Sequence, residues 1–258
     1  MVGALIQVRL ESKRLPQKAK LLLNGLSVIE RVILNAREIE GVNKIAIATV
    51  DNELNVDYFS KIAEKNNIEI FYGKNDDIIK RFIDAAYFFQ LEHVVRVTGD
   101  CPLVSYEAAG RLIDAHLKHN CDYTYIEGKY IHGINSEVYS LAGLKRMYES
   151  TDTSLSEYMS IYFRNNTKLF KNFGLKLGTD YYNPEYRVTI DEQKDFEMLD
   201  LFFRNIGRRS VSFFEWYDFF QNNKDLARIN QEIIEKWNNE KGFDSKLAKR
   251  IEEISKIK

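Results

Sequence analysis

The sequence predicts an α/β fold, a mostly parallel central sheet with helices on both faces, and three observations carry that prediction. Short apolar runs alternate with longer amphipathic patterns through residues 1–120, the order expected of βαβ units and a covered parallel sheet. Helix-start signals punctuate the alternation. With 258 residues, 45% of them hydrophobic, the chain can bury a substantial core.

Taken in order, the strand candidates are Ala4–Val8, Lys44–Thr49, Ile68–Tyr72 and His93–Thr98. Between the first two, residues 27–40 place Val28, Ile29, Val32, Ile33 and Ala36 on one helical face, and their opening "SVIE" has the Ser-x-x-Glu form of a capping box. A second helix, Asp76 to Leu91, buries Ile78, Ile79, Phe82, Ala85, Ala86 and Phe89, and Ser105 caps a third. After residue 120 the pattern loosens. "DYTYIEGKYIHGINSEVYS" reads as strands and turns, and two helices follow, Leu141–Glu149 and Leu155–Asn165. "YRVTI" (186–190) reads as a strand returning to the core, backed by a helix over Glu192–Asn205. The Lys/Glu-rich tail is helical and peripheral. With only three prolines and neither linker nor repeat, the expectation is one domain over 1–258, with an inserted antiparallel section near 121–185 and the tail at about 223–258.

Composition narrows the function classes. Lys+Arg 37 against Asp+Glu 38 gives a formal charge of -1, without the basic excess of a general nucleic-acid binder. Two cysteines, Cys101 and Cys121, make no disulfide framework. No apolar run approaches the roughly 20 residues that cross a bilayer, and the first residues lack a signal peptide's hydrophobic region. A cytoplasmic protein with no membrane or nucleic-acid partner is expected. His116, His119 and Cys121 ("HLKHNC"), with Cys101 upstream, fit no regular zinc spacing, and the histidines lie at a helix end that favours cations in any case.

The chemistry points to two loops. "IQVRLESKRLPQK" (6–18) sets Arg9, Lys13, Arg14 and Lys18 directly after the first strand. In open α/β sheets ligands bind beyond the carboxyl ends of strands. An arginine fork and a compact lysine charge there suit phosphate, although a solvated basic turn would carry the same residues. Neither a Walker A motif nor a Gly-x-Gly-x-x-Gly fingerprint occurs in the chain. "RVTGDCPL" (96–103) places Gly99-Asp100 and Pro102 at another strand end, where a carboxylate can bind Mg²⁺ or simply form the turn.

Five segments, "IQVRLESKRLPQK", "FYGKNDDIIKRF", "VVRVTGDCPLV", "HGINSEVYS" and "YRVTIDEQKDFEML", occur in the order seen in SpsF-like cytidylyltransferases, relatives of the CMP-sialic-acid and CMP-KDO synthetases, and the chain resembles that family over residues 3–200. The resemblance implies a Rossmann-like nucleotidyltransferase fold related to glycosyltransferase A. It implies transfer of CMP from CTP to a small acidic sugar or related acceptor with Mg²⁺ and release of pyrophosphate, commonly in a homodimer. Carried over by residue, it implies nucleotide contacts from Arg9, Ser12, Arg14, Lys18 and Arg96, and catalytic roles for Arg14, Lys18 and Asp100. It further implies metal binding by Asp100 and Asp191, and acceptor binding by Gly133, Asn135 and Glu137.

Several residues have structural readings alongside. Asp191 precedes a helix, where Asp is a favoured cap; Glu137 could accept from backbone amides, and Arg96 could pair with a carboxylate inside the fold. The family's first loop usually reads Ala-Arg-x-Gly-Ser-Thr-Arg-Leu-Pro-Gly-Lys. Here Val8, Glu11, Lys13 and Gln17 depart from it, and Tyr158 stands where relatives often have His. Glu11 adds a negative charge beside the expected triphosphate and leaves the choice of nucleotide open. Two rival readings are a glycosyltransferase of similar fold, which usually needs an Asp-x-Asp that this chain lacks, and a nucleotide-binding module without turnover.

Overall fold

The structure is a computed structural model that describes residues 1–74, 77–239 and 245–255. The chain builds β1 (Val2–Gln7), a small hairpin of β2 (Leu22–Leu23) and β3 (Leu26–Ser27), α1 (Val28–Arg37), β4 (Lys44–Val50), α2 (Glu53–Lys65), β5 (Glu69–Gly73), α3 (Ile78–Phe88), β6 (His93–Thr98) and α4 (Tyr106–His119). It continues through β7 (Tyr123–Ile126), β8 (Glu137–Ser140), α5 (Leu141–Ser150), α6 (Met159–Asn165), β9 (Asn172–Leu175), α7 (Gln193–Ile206) and α8 (Phe213–Asn222). The tail holds α9 (Lys224–Ala227), α10 (Gln231–Asn239) and α11 (Ser245–Ser255).

Seven strands form one sheet in the order β5-β4-β1-β6-β8-β7-β9. β5, β4, β1 and β6 run parallel; β8 is antiparallel to both β6 and β7, and β9 returns parallel to β7. Side chains alternate across the pleat, so Val2, Ala4 and Ile6 of β1 join the core beneath α1, α4 and α7, while Leu5 enters the opposite core with α3, α5 and α6. Both faces of the sheet are therefore covered, as the fold class requires. The helix starts are chemically satisfied: Ser27 and Glu30 form the expected capping box on α1, and Ser105 accepts from the amide of Ala108 at the start of α4.

Three features differ from the expectation, and one lies outside the described residues. Residues 186–190 do not form a strand. They run extended with one bridge, His132 to Arg187, and backbone bonds Val188 N to His132 O and Ile190 N to Asp100 O, both 2.8 Å. The helix expected over 155–165 divides into a 3₁₀ turn (Ser156–Tyr158) and α6. The start of the second expected helix, Asp76, lies outside the described residues. The tail is less peripheral than expected: Asn230 is fully buried, and Ile233 and Ile234 pack inward.

Candidate active site

β1 lies between β4 and β6, so the chain leaves its two neighbours in opposite directions and a crevice opens at the carboxyl ends of β1 and β6. The strands end in register, Gln7 opposite Thr98. Their loops touch at once, with Gly99 N donating to Gln7 O at 2.8 Å. A Cβ on Gly99 would stand 2.6 Å from Val8 Cβ, so only glycine permits this approach.

A cleft of about 410 Å³ fills the crevice. Arg9, Ser12, Arg14 and Lys18 border it from the first loop, Arg96 and Asp100 from β6 and its exit, and Asp191 from the segment before α7. The structure thus brings these seven predicted residues together. At the centre, Lys18 Nζ donates to Asp100 Oδ2 at 2.6 Å, Asp191 Oδ1 at 2.9 Å and Ile190 O at 2.8 Å. Arg14 reaches the same Asp191 oxygen at 2.8 Å. Burial pushes the Lys18 pKa down, but the two carboxylates outweigh it and hold the ammonium above its ordinary value. Burial likewise pushes Asp191 up, and Lys18, Arg14 and Arg187 overcome this and hold its carboxyl at about 2.

Glu11 also borders the cleft, but its carboxylate is already engaged. Its carboxylate accepts from Asn55 Nδ2 at 2.9 Å and Asn52 Nδ2 at 2.5 Å, at the start of α2. Despite the cost of partial burial, those amides lower its pKa. Tyr158, with Glu157, also borders the cleft.

Arg96 pairs with Glu137 at 2.7 Å and donates to Gln7 at 2.8 Å. Glu137 also accepts from Tyr123 OH at 2.7 Å and Tyr139 OH at 2.9 Å, so three donors hold its carboxylate. Gly133 and Asn135 border neither this cleft nor the second one described below. Gly133 takes φ +107, and a Cβ there would meet Thr189 N at 2.4 Å, so its requirement is backbone contact with the 186–190 segment.

Four contributors, Arg187, Asp195, His132 and Arg81, were not among the expected residues. Arg187 donates to Asp191 Oδ2 at 2.6 Å and to Asp195 Oδ1 at 3.1 Å. Asp195 in turn accepts from the Asp191 and Glu192 amides at 3.0 and 3.1 Å. Arg187 also contacts the His132 ring, and burial followed by this cation holds His132 down at about 4. Arg81, 3% exposed on α3, borders the cleft beside Arg9; burial first, and Arg9 second, lower its pKa to about 10. A lone arginine within the apolar stripe of 78–89 was the available signal for Arg81.

A second cleft of about 360 Å³ is bordered by Tyr123, Tyr125, Tyr130 and Tyr186, with Lys129 and Arg164. Two ion pairs join the clefts: Arg96 and Asp191 border the first, and their partners Glu137 and Arg187 border the second.

A family described as cytidylyltransferase matches residues 3–232. The chain is 28% identical over 231 residues to the spore coat polysaccharide biosynthesis protein SpsF of Bacillus subtilis (strain 168), covering 86% of this chain and 95% of that protein. A cytidylyltransferase from Leptospira borgpetersenii superposes with a TM-score of 0.81 at 25% identity, covering 88% of this chain and 96% of that one. A CMP:2-keto-3-deoxy-manno-octonic acid synthetase solved with CTP shares the fold at a TM-score of 0.60 and 13% identity, covering 80% and 99%.

Proposed function

The chain belongs to the cytidylyltransferase family, and from that premise we propose that it transfers CMP from CTP to a small, anionic, hydroxylated acceptor with magnesium, releasing pyrophosphate. The observation that carries this reading is the central array, in which Arg14 and Lys18 of the first loop meet Asp100 and Asp191 at one strand-end crevice.

The donor set fits a hard divalent ion. Two carboxylates and the Ile190 carbonyl converge within 3 Å of the Lys18 ammonium, which stands there as a cation, and Mg²⁺ prefers oxygen ligands of this kind. Held by Asp100 and Asp191, magnesium would neutralise charge on the reacting phosphates. The chain's own groups do the remaining work. Arg9, Arg14 and Lys18 bind and orient the triphosphate, aligning the α-phosphorus for in-line attack and stabilising charge on the departing pyrophosphate. Arg81 adds a fourth cation in a desolvated position, where its charge acts strongly.

The second cleft supplies the acceptor subsite in this reading. Tyrosine faces pack against sugar C–H groups, and Lys129 and Arg164 attract a negative group. Glu137, held by three donors, orients Arg96 between the clefts instead of binding the acceptor itself.

Thermal stabilisation by CTP, UTP, GTP and ATP, each with Mg²⁺, tests the reading. A ligand at about a hundred times its dissociation constant adds roughly 2.7 kcal/mol, which such a scan resolves. CTP should stabilise the protein, and Asp100→Asn should weaken the effect and lower pyrophosphate release about a hundredfold or more with an accepted acidic sugar. Stabilisation by another nucleotide and not by CTP would overturn the cytidylyl assignment.

A further inference from the structure

Lys18 does more than border the nucleotide cleft. Its side chain is 13% exposed, and its ammonium sits against three oxygens: Asp100 Oδ2, Asp191 Oδ1 and the carbonyl of Ile190. These oxygens are also the ones a divalent ion held by the two aspartates would be drawn to, and a cation drawn to them would take the volume the ammonium fills. We propose that Lys18 and the divalent ion compete for one seat, so that metal enters only as the nucleotide's triphosphate draws Lys18 away. The proposal rests on the nucleotidyl-transfer reading above.

Charge makes the competition strong. Asp191 already faces Arg14 at 2.8 Å on one oxygen and Arg187 at 2.6 Å on the other. With Lys18 added, three cations surround the pair formed by Asp100 and Asp191, and a divalent ion entering alone would meet them at short range in a partly desolvated cleft. Of the three, Arg187 is fixed, 3% exposed and held also by Asp195. Lys18 carries the compact charge on a flexible four-carbon stem, and in the nucleotidyl-transfer reading the triphosphate enters the same cleft. A tetra-anionic triphosphate both compensates the incoming ion and offers the ammonium a new partner. Metal and nucleotide then favour each other's binding reciprocally. Lys18 is in this account the gate of the metal seat as well as a phosphate contact.

The test is Mn²⁺ binding followed by the electron paramagnetic resonance of free Mn²⁺, with Mn²⁺ as the probe metal. Wild-type protein should bind it about tenfold or more weakly without CTP than with it, after correction for the CTP–Mn²⁺ complex. Without nucleotide, Lys18→Met and Lys18→Gln should bind Mn²⁺ about tenfold or more tightly than wild type. Lys18→Arg, which retains the charge, should stay weak, and Asp191→Asn added to Lys18→Met should abolish the gain. Equal wild-type affinity with and without CTP overturns the proposal whether or not the variants fold. Folded Lys18→Met with wild-type or weaker affinity overturns it too. Failure here is distinct from failure of the functional reading: a wild-type protein stabilised by CTP but lacking these Mn²⁺ differences loses only the gate.

Discussion

At Gly133 and Glu11, the chemistry of single positions separates structure from ligand contact. Gly133 has φ +107, and a Cβ would lie 2.4 Å from Thr189 N and 2.5 Å from Val188 C, both backbone atoms. Gly133→Ala should therefore destabilise the protein by roughly 2 kcal/mol or more, read as a lower urea midpoint; an unchanged midpoint would contradict the backbone role. Glu11 presents the opposite case. Its negative charge raised the question of interference with a triphosphate, but Asn52 and Asn55 hold it at the start of α2. Because Glu11 is exposed, Glu11→Ala should cost only about 0.5–1 kcal/mol, and CTP-induced stabilisation should persist; its loss would return Glu11 to the nucleotide site. The cations of the first loop were legible because four of them crowd the exit of an apolar strand. Arg187 was not, since its meaning arises only when the chain folds His132, Asp191 and Asp195 around it.

Among the elements, the segment 186–190 and the helix α7 behind it show where periodicity misleads. "YRVTI" has the composition of a strand, and all five residues are buried, yet among the described residues a single bridge to His132 is its only ladder contact. Its place is set instead by the Asp100 carbonyl, which accepts from Ile190 N, and by the charged group at the start of α7. Fully buried Asp195 accepts from the Asp191 and Glu192 amides, from Arg187, and from Asn230 Nδ2 at 2.9 Å. No sequence period reveals such a network, whereas the parallel strands β1, β4 and β6 were legible to within a few residues because burial on both faces writes much of each as an apolar run, and the half-buried edge strand β5 was legible from its Ile70, Phe71 and Tyr72. Asp195→Asn should destabilise the protein by about 3–5 kcal/mol, because it strips a partner from buried Arg187. Asn230→Ala, which leaves every ion pair in place, should cost less, about 1–3 kcal/mol. Equilibrium urea unfolding of both checks the order, and equal losses would show that hydrogen bonding, not the buried charge, sets the cost.

For the whole molecule, two neutral histidines, His116 buried and His132 half-buried, tie distant parts of the fold together and make its acid stability predictable. His116, fully buried at the end of α4, bonds Thr124 of β7 at 2.9 Å and His93 of β6 at 3.1 Å. His132 links the turn before β8 to Arg187. Burial, aided by His93 for one and Arg187 for the other, lowers both His116 and His132 to about 4 from 6.5. The unfolded chain therefore takes up protons below pH 6.5 that the folded chain refuses until about pH 4. Stability must fall across that window, with a limiting slope of about 1.4 kcal/mol per pH unit for each histidine. Asp191 acts outside it: its contribution is present above 3.8 and disappears only as pH falls through about 2. Urea midpoints at pH 7, 6 and 5 should thus decline, and His116→Gln, which keeps a hydrogen-bonding neutral side chain, should decline less steeply by about one proton's share. The nearly balanced charge of the chain, -1 at neutral pH, leaves little general repulsion in this range to mask the effect. A flat pH profile, or one unchanged by His116→Gln, would mean that these imidazoles accept protons inside the fold and that the bonds joining β6, α4 and β7 tolerate the charge.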